Sequence, residues 1–114
     1  SRDLLEMDCF RRFGDVHITT EDGSAGEKGF VTNHSCLSEG NYDFIATCGP
    51  KPMMKAVAKF AASVNLECEA SLENMMACGV GACLCCVEKT TSDNLCVCKD
   101  GPVFKTSDLL WDLC

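Results

Sequence analysis

The chain has 114 residues, 46% of them apolar, enough to bury one core of ordinary domain size. Its formal net charge of −7 excludes an electrostatic nucleic-acid binder, which needs a basic stripe to displace counterions from phosphates. No apolar run approaches the roughly 20 residues of a membrane helix, and the N-terminus lacks the flank, apolar stretch and cleavage site of a signal peptide. The expectation is a cytoplasmic protein with neither a membrane nor a nucleic acid as partner.

SRDLLEMDCFRRF at 1–13 spaces Leu5, Cys9 and Phe13 four apart behind Ser1 or Asp3, which predicts an amphipathic helix stopped by Gly14. DVHITT at 15–20 alternates Val16 and Ile18 with polar neighbours and reads as a strand. A glycine-punctuated loop follows at 21–29, then a short helix at 30–39. YDFIATCG at 42–49, an apolar run ended by Gly-Pro, predicts a buried parallel strand. The next segment puts Met53, Val57, Phe60 and Val64 on one helical stripe and Lys51, Lys55 and Lys59 on another, with Pro52 in the first turn. ECEASL at 67–72 reads as a third strand. This succession predicts half of a parallel α/β sheet with helical crossovers, and with it the C-terminal part of a longer protein. His17 and His34 read as structural or exposed, the methionines at 53, 54, 75 and 76 as core filling, and Trp111 with Leu109 and Leu110 as a cover or a partner surface.

Eleven cysteines in an acidic chain without a secretion signal point to a metal site rather than a disulfide framework, the more so because six of them lie between 78 and 98. Cys78, Cys83 and Cys86 make C-x4-C-x2-C, the spacing of plant-type 2Fe-2S sites, in which one loop wraps the cluster and a distant cysteine closes it. Gly79, Gly81 and Ala82 give that loop the freedom to curl and the N–H groups to face sulfur. Beyond the turn TTSDN at 90–94, either Cys96 or Cys98 is the fourth ligand, and Cys85 is a bystander. Zinc suits this spacing less well, because four-cysteine zinc sites use two close pairs.

SLENMMACGVGACLCCVEKT at 71–90 and VCKDGPVF at 97–104 resemble the C-terminal region of the electron-transfer subunit of bacterial, NAD-linked dihydroorotate dehydrogenase. TEDGSAGEKGFVT at 20–32 and ATCGPKPMMKAVAKF at 46–60 resemble its NAD-binding domain and the wider ferredoxin reductase-like group. The resemblance implies a partial nucleotide-binding domain over 1–72 and a small, mainly β and loop, cluster-binding domain over 73–114. It prefers Cys98, ahead of the DGPVF stretch, as fourth ligand. It also implies electrons passing between NAD, FAD and the 2Fe-2S cluster to an FMN-containing catalytic subunit, in the oxidation of dihydroorotate for pyrimidine biosynthesis. The FAD site of such subunits lies mainly in an N-terminal barrel, so these residues alone are expected neither to hold flavin tightly nor to turn over.

Cys48, Gly49 and Pro50 sit where that group places the nicotinamide, and independently of any family a strand end followed by Gly and a helix start is the ligand crevice of an α/β sheet. A buried small apolar residue is the competing reading of Cys48. Asp22 and Gly23, with Ser24, occupy the loop that would read an unphosphorylated adenine ribose; the alternative is a solvated turn. Lys51 is an outside candidate for a phosphate contact. Two other readings stand beside the main one: a subunit of a sulfide dehydrogenase or ferredoxin:NADP oxidoreductase, and a zinc-binding module.

Overall fold

The computed structural model describes residues 6–111. The chain divides into two compact units, Ser1–Asn41 and Tyr42–Cys114.

In the first unit, α1 (Met7–Phe10) is a single helical turn entered from Glu6 in the left-handed region, φ 58°. The predicted helix over 1–13 is therefore shorter in its described part, and Ser1, Asp3 and Leu5 lie outside the described residues. The anticipated strand over 15–20 contracts to β1 (Thr19–Thr20), which pairs in parallel with β2 (Glu27–Lys28). The loop between them closes on itself: the Thr20 hydroxyl donates to Ala25 O at 2.9 Å and Glu27 N–H donates to Ile18 O at 2.9 Å. Gly26 makes this possible, since a Cβ on it would sit 1.9 Å from the Ile18 carbonyl oxygen at φ +67°. The anticipated helix over 30–39 becomes a 3-10 turn, Val31–Asn33, and α2 (Ser35–Glu39), broken at His34 by extended backbone, ψ 135°.

The second unit is built on β3 (Phe44–Cys48), α3 (Lys51–Ser63) and β4 (Glu67–Ser71). β3 and β4 are parallel, Phe44 opposite Glu67 through Cys48 opposite Ser71, as a helical crossover requires. Two corrections apply. β1 pairs in parallel with β2 within the first unit, and the sheet of the second unit is two parallel strands and an antiparallel third rather than parallel throughout. β3 is also not a buried strand: Thr47 alone of its residues is buried. The face of α3 that packs inward is Met54, Val57, Ala58 and Ala61, rotated from the predicted stripe, and Val64 is exposed. The two alanines let the helix axis approach the sheet, which larger side chains at those sites would prevent.

From β4 the chain runs through the cysteine loop into a hairpin, β5 (Val87–Lys89) and β6 (Asn94–Cys96), then α4 (Val97–Asp100) and β7 (Val103–Lys105). β7 pairs antiparallel with β4, Ala70 opposite Phe104, and Leu72 N–H donates to Pro102 O at 2.9 Å. The position between 72 and 73, where the sequence divides by motif, thus falls inside one structural unit. Met54, Ala58, Ala70 and Leu72 share a core with Cys86, Val97, Phe104, Leu109 and Trp111. Burying a side chain such as Val97 or Phe104 contributes about 1.5–3 kcal/mol, so the cysteine segment is held by the same burial that holds the sheet. Met75 and Met76 are exposed rather than core filling.

Candidate iron–sulfur centre and nucleotide crevice

The loop from Cys78 to Cys86 is shaped by left-handed residues: Gly79 at φ 71°, Gly81 at 80° and Leu84 at 57°. That curl turns backbone N–H groups inward. Val80, Ala82 and Cys83 N–H all donate to Cys78 Sγ, at 3.4, 3.2 and 3.4 Å. These donors favour the charged sulfur and hold the Cys78 thiol down at about 6, the N–H of Cys83 contributing most. Cys83 is lowered likewise, chiefly by the N–H of Cys85, whereas Cys85 is raised by its hydrogen bond with Cys83. A loop that stabilises thiolate on Cys78 and Cys83 fits a cationic iron centre, whose ligands are deprotonated sulfurs.

Cys86 is buried, and its sulfur accepts the Cys98 N–H at 3.4 Å. Cys98 lies on α4, its thiol raised mainly by a hydrogen bond to Cys86, while the Gly81 N–H acts in the opposite sense on the same sulfur. Cys96 ends β6, is buried in the core, and points its sulfur at the Gly81 carbonyl, 4.0 Å away; burial pushes its thiol up. A single strand through Cys96 and Cys98 would have put both on one face, because residues two apart share a face. The helical turn beginning at Val97 separates them. Cys98 meets a backbone donor and the Cys86 sulfur; Cys96 meets a carbonyl, which suits a protonated thiol.

The other predicted pocket lies at the C-terminal end of β3. A cavity of about 280 Å³ is lined by Gly49, Pro50, Lys51, Met54, Leu72, Glu73 and Asn74. Cys48 is exposed beside it, its thiol directed at Glu73 Oε1, 3.7 Å away, so the reading of Cys48 as a buried apolar residue does not hold. Lys51 is engaged by Glu88, Nζ to Oε1 at 2.8 Å, and Glu88 also accepts from Asn74 at 2.9 Å and from the Trp111 indole N–H at 3.3 Å. Burial pushes the Glu88 carboxyl up, but the hydrogen bonds from Asn74, Lys51 and Trp111 prevail and leave it below its ordinary value. Glu88 escaped the sequence reading; its one signal is an acidic residue between Val87 and Lys89, on the strand leaving the cysteine loop.

In the first unit, Asp22 Oδ1 accepts the Ser24 N–H at 2.9 Å, which lowers its carboxyl, and Gly23 takes φ 74° to donate to Thr20 O at 3.1 Å. Asp22 is exposed on a tight, preformed loop.

A thiolate-stabilising cysteine loop packed on a mixed α/β sheet is suited to hold a metal through deprotonated sulfur. The chain matches, over residues 73–110, the family described as the iron-sulfur cluster binding domain of dihydroorotate dehydrogenase B. It is 42% identical over 114 residues to the dihydroorotate dehydrogenase B (NAD(+)) electron transfer subunit of Caldanaerobacter subterraneus subsp. tengcongensis, covering 96% of this chain and 46% of that protein. The like-named subunit of Clostridium perfringens is 49% identical over 103 residues, 90% of this chain and 41% of the relative. A probable subunit of the same name in Methanocaldococcus jannaschii is 46% identical over 105 residues, 90% and 40%. Among solved structures, one described as an NADH-dependent reduced ferredoxin-NADP oxidoreductase of flavin-based electron bifurcation superposes with a TM-score of 0.77 at 32% identity, over 92% of this chain and 39% of that one. The chain spans less than half the length of each of these relatives. No helix among the described residues is long and apolar enough to cross a membrane.

Proposed function

We propose that the chain is the iron–sulfur part of the electron-transfer subunit of an NAD-dependent dihydroorotate dehydrogenase, with Cys78, Cys83, Cys86 and Cys98 as the ligands of a 2Fe-2S cluster. The observation that carries this is the convergence of three backbone N–H groups on Cys78 Sγ. When bound, a centre of this type takes up and releases one electron at a time, so it links two-electron carriers. The residues' own part is to hold deprotonated sulfur, to screen it with N–H dipoles, and to fix the loop through the buried side of Cys86 and Val97.

On this reading residues 1–72 supply part of a ferredoxin reductase-like, NAD-binding domain and residues 73–114 the cluster-binding domain. Cys48, Gly49 and Pro50 would meet the nicotinamide end of NAD, a role supported by the cavity at the β3 terminus. Asp22 and Gly23 would meet its adenine ribose, the carboxylate being suited to free hydroxyls. Lys51, committed to Glu88, is not assigned to a phosphate. FAD would be held by the rest of the subunit. The partner is an FMN-containing catalytic subunit in the cytoplasm, and the net reaction is oxidation of dihydroorotate to orotate with reduction of NAD. The second reading, a ferredoxin-NADP oxidoreductase subunit, is favoured by the structural neighbour.

Anaerobic reconstitution tests the cluster. Two irons and two acid-labile sulfides per chain are expected, with serine at 78, 83, 86 or 98 losing them and serine at 85 or 96 keeping them. Retention of iron by Cys98→Ser together with its loss by Cys96→Ser would reverse the ligand assignment. The full-length subunit is expected to co-purify with a dihydroorotate-oxidising partner; co-purification with a ferredoxin-dependent one instead selects the second reading.

A further inference from the structure

Three side chains outside the cysteine loop carry donor atoms that lie within 4.8 Å of one another: His17, His34 and Cys36, all in the first unit. The two imidazoles meet edge to face, centroids 5.0 Å apart at 68°. His34 is largely enclosed, its side chain 11% exposed, and both its nitrogens are oriented. Nε2 faces Glu27 Oε1 at 3.5 Å, and Glu27 is itself held by the N–H of Ser35 at 3.0 Å and by the Ser35 hydroxyl. Nδ1 accepts the Cys36 N–H at 3.0 Å, so the proton sits on Nε2 and the lone pair on Nδ1, on the side of Cys36. A carboxylate orienting a histidine whose other nitrogen offers its lone pair is the usual support of a metal-ligating imidazole.

We propose that His17, His34 and Cys36 form a second metal site, for a borderline first-row dication of the zinc type, with Glu27 orienting His34 and water in the fourth position. The donor set is two imidazoles and one thiolate, which such cations prefer over magnesium or calcium. Bonds of about 2.0–2.1 Å to nitrogen and about 2.3 Å to sulfur place tetrahedral donors roughly 3.3–3.6 Å apart. The three side chains therefore close by up to about 1.5 Å from their present spread, and exposed His17 has room to swing. On binding, Cys36 releases its thiol proton to solvent and Nδ1 exchanges the Cys36 N–H for the metal; no electron moves.

His17 enters β1 while His34 and Cys36 flank the start of α2, so one ion would tie the two ends of the β1–β2 turn region together. None of these donors belongs to the proposed cluster, and the two sites are separable by experiment.

The test starts from chain already loaded with iron and sulfide, titrated with Zn2+ and, for spectroscopy, Co2+. One additional zinc per chain is expected, with iron unchanged, and the Co2+ form is expected to show thiolate charge-transfer absorption. Cys36→Ser and His17→Gln should abolish the extra equivalent, Glu27→Gln should weaken it about 10–100-fold, and all three should keep their iron. Since His17 is exposed, His17→Gln keeps its circular dichroism and decides the matter even if Cys36→Ser misfolds. Equal zinc uptake by wild type and His17→Gln, no uptake by wild type, or uptake only at the expense of iron would each overturn the site.

Discussion

Removing the buried Glu88 carboxylate is expected to destabilise the second unit more than removing an exposed charge does. Its side chain is 9% exposed and takes hydrogen bonds from three groups: Lys51 Nζ at 2.8 Å, Asn74 Nδ2 at 2.9 Å and Trp111 Nε1 at 3.3 Å. In Glu88→Ala the indole N–H of buried Trp111 has lost its acceptor, which costs about 1–3 kcal/mol. Lys51 is half exposed, so its ion pair adds no more than about 1 kcal/mol. The sum is about 1–4 kcal/mol; Glu88→Gln, which keeps an acceptor for the indole, should cost about 1–2 kcal/mol, and Lys51→Met less than about 1 kcal/mol. Trp111 is the only tryptophan, so urea unfolding followed by its fluorescence reads the site directly. The pH dependence has a defined sign. Glu88 has its carboxyl lowered in the folded state from an ordinary 4.5, so its contribution is complete above that value and declines as pH falls through the lowered native one. The gap between wild type and Glu88→Gln should therefore narrow only in acid. An alanine variant within about 0.5 kcal/mol of wild type, or Lys51→Met costing as much as Glu88→Ala, would refute the assignment of the energy to buried donors.

Other consequences are as direct. In iron-free chain at neutral pH, limiting iodoacetamide should label Cys78 well ahead of Cys96 and Cys98, whose thiols are raised; peptide mapping that finds the three labelled equally would remove the argument for a thiolate-stabilising loop. Gly26→Ala should break the β1–β2 pairing at a cost of about 3 kcal/mol or more, seen as protease cleavage between residues 18 and 29, because its Cβ meets backbone. Gly14→Ala, with nothing within 4 Å, is the control and should keep wild-type resistance.

The elements easiest to see in the sequence are those whose signals are local. β3, α3 and β4 follow from an apolar run, a Gly-Pro stop and a helical period. The buried face of α3 was misjudged because hydrophobic size points to Phe60 and Val64, whereas close packing on a sheet selects Ala58 and Ala61. β2 was hidden inside a loop whose glycines advertise a turn, and its pairing rests on Thr20 reaching Ala25. At the candidate site, C-x4-C-x2-C is legible because one loop carries all three residues. The environments of Cys96 and Cys98 differ through a helical turn that spacing does not encode. Glu88 with Trp111, and His17 with His34 and Cys36, are grouped only by the fold, so nothing in the linear order announces them.

The return of β7 to β4, with Leu72 N–H bound to the Pro102 carbonyl, brings the two ends of the cysteine-bearing excursion side by side. To the sheet, the mostly exposed run from Gly79 to Cys85 is a detour whose lengthening raises the entropy of closure only logarithmically, whereas Cys86 and Val97 fill the same core as Ala70 and Leu72. The tip of the excursion is thus free to change faster than its buried flanks. A foreign loop grafted between Leu72 and Pro102 should leave the β3–β4 register intact only if it keeps the buried side chains of Cys86 and Val97.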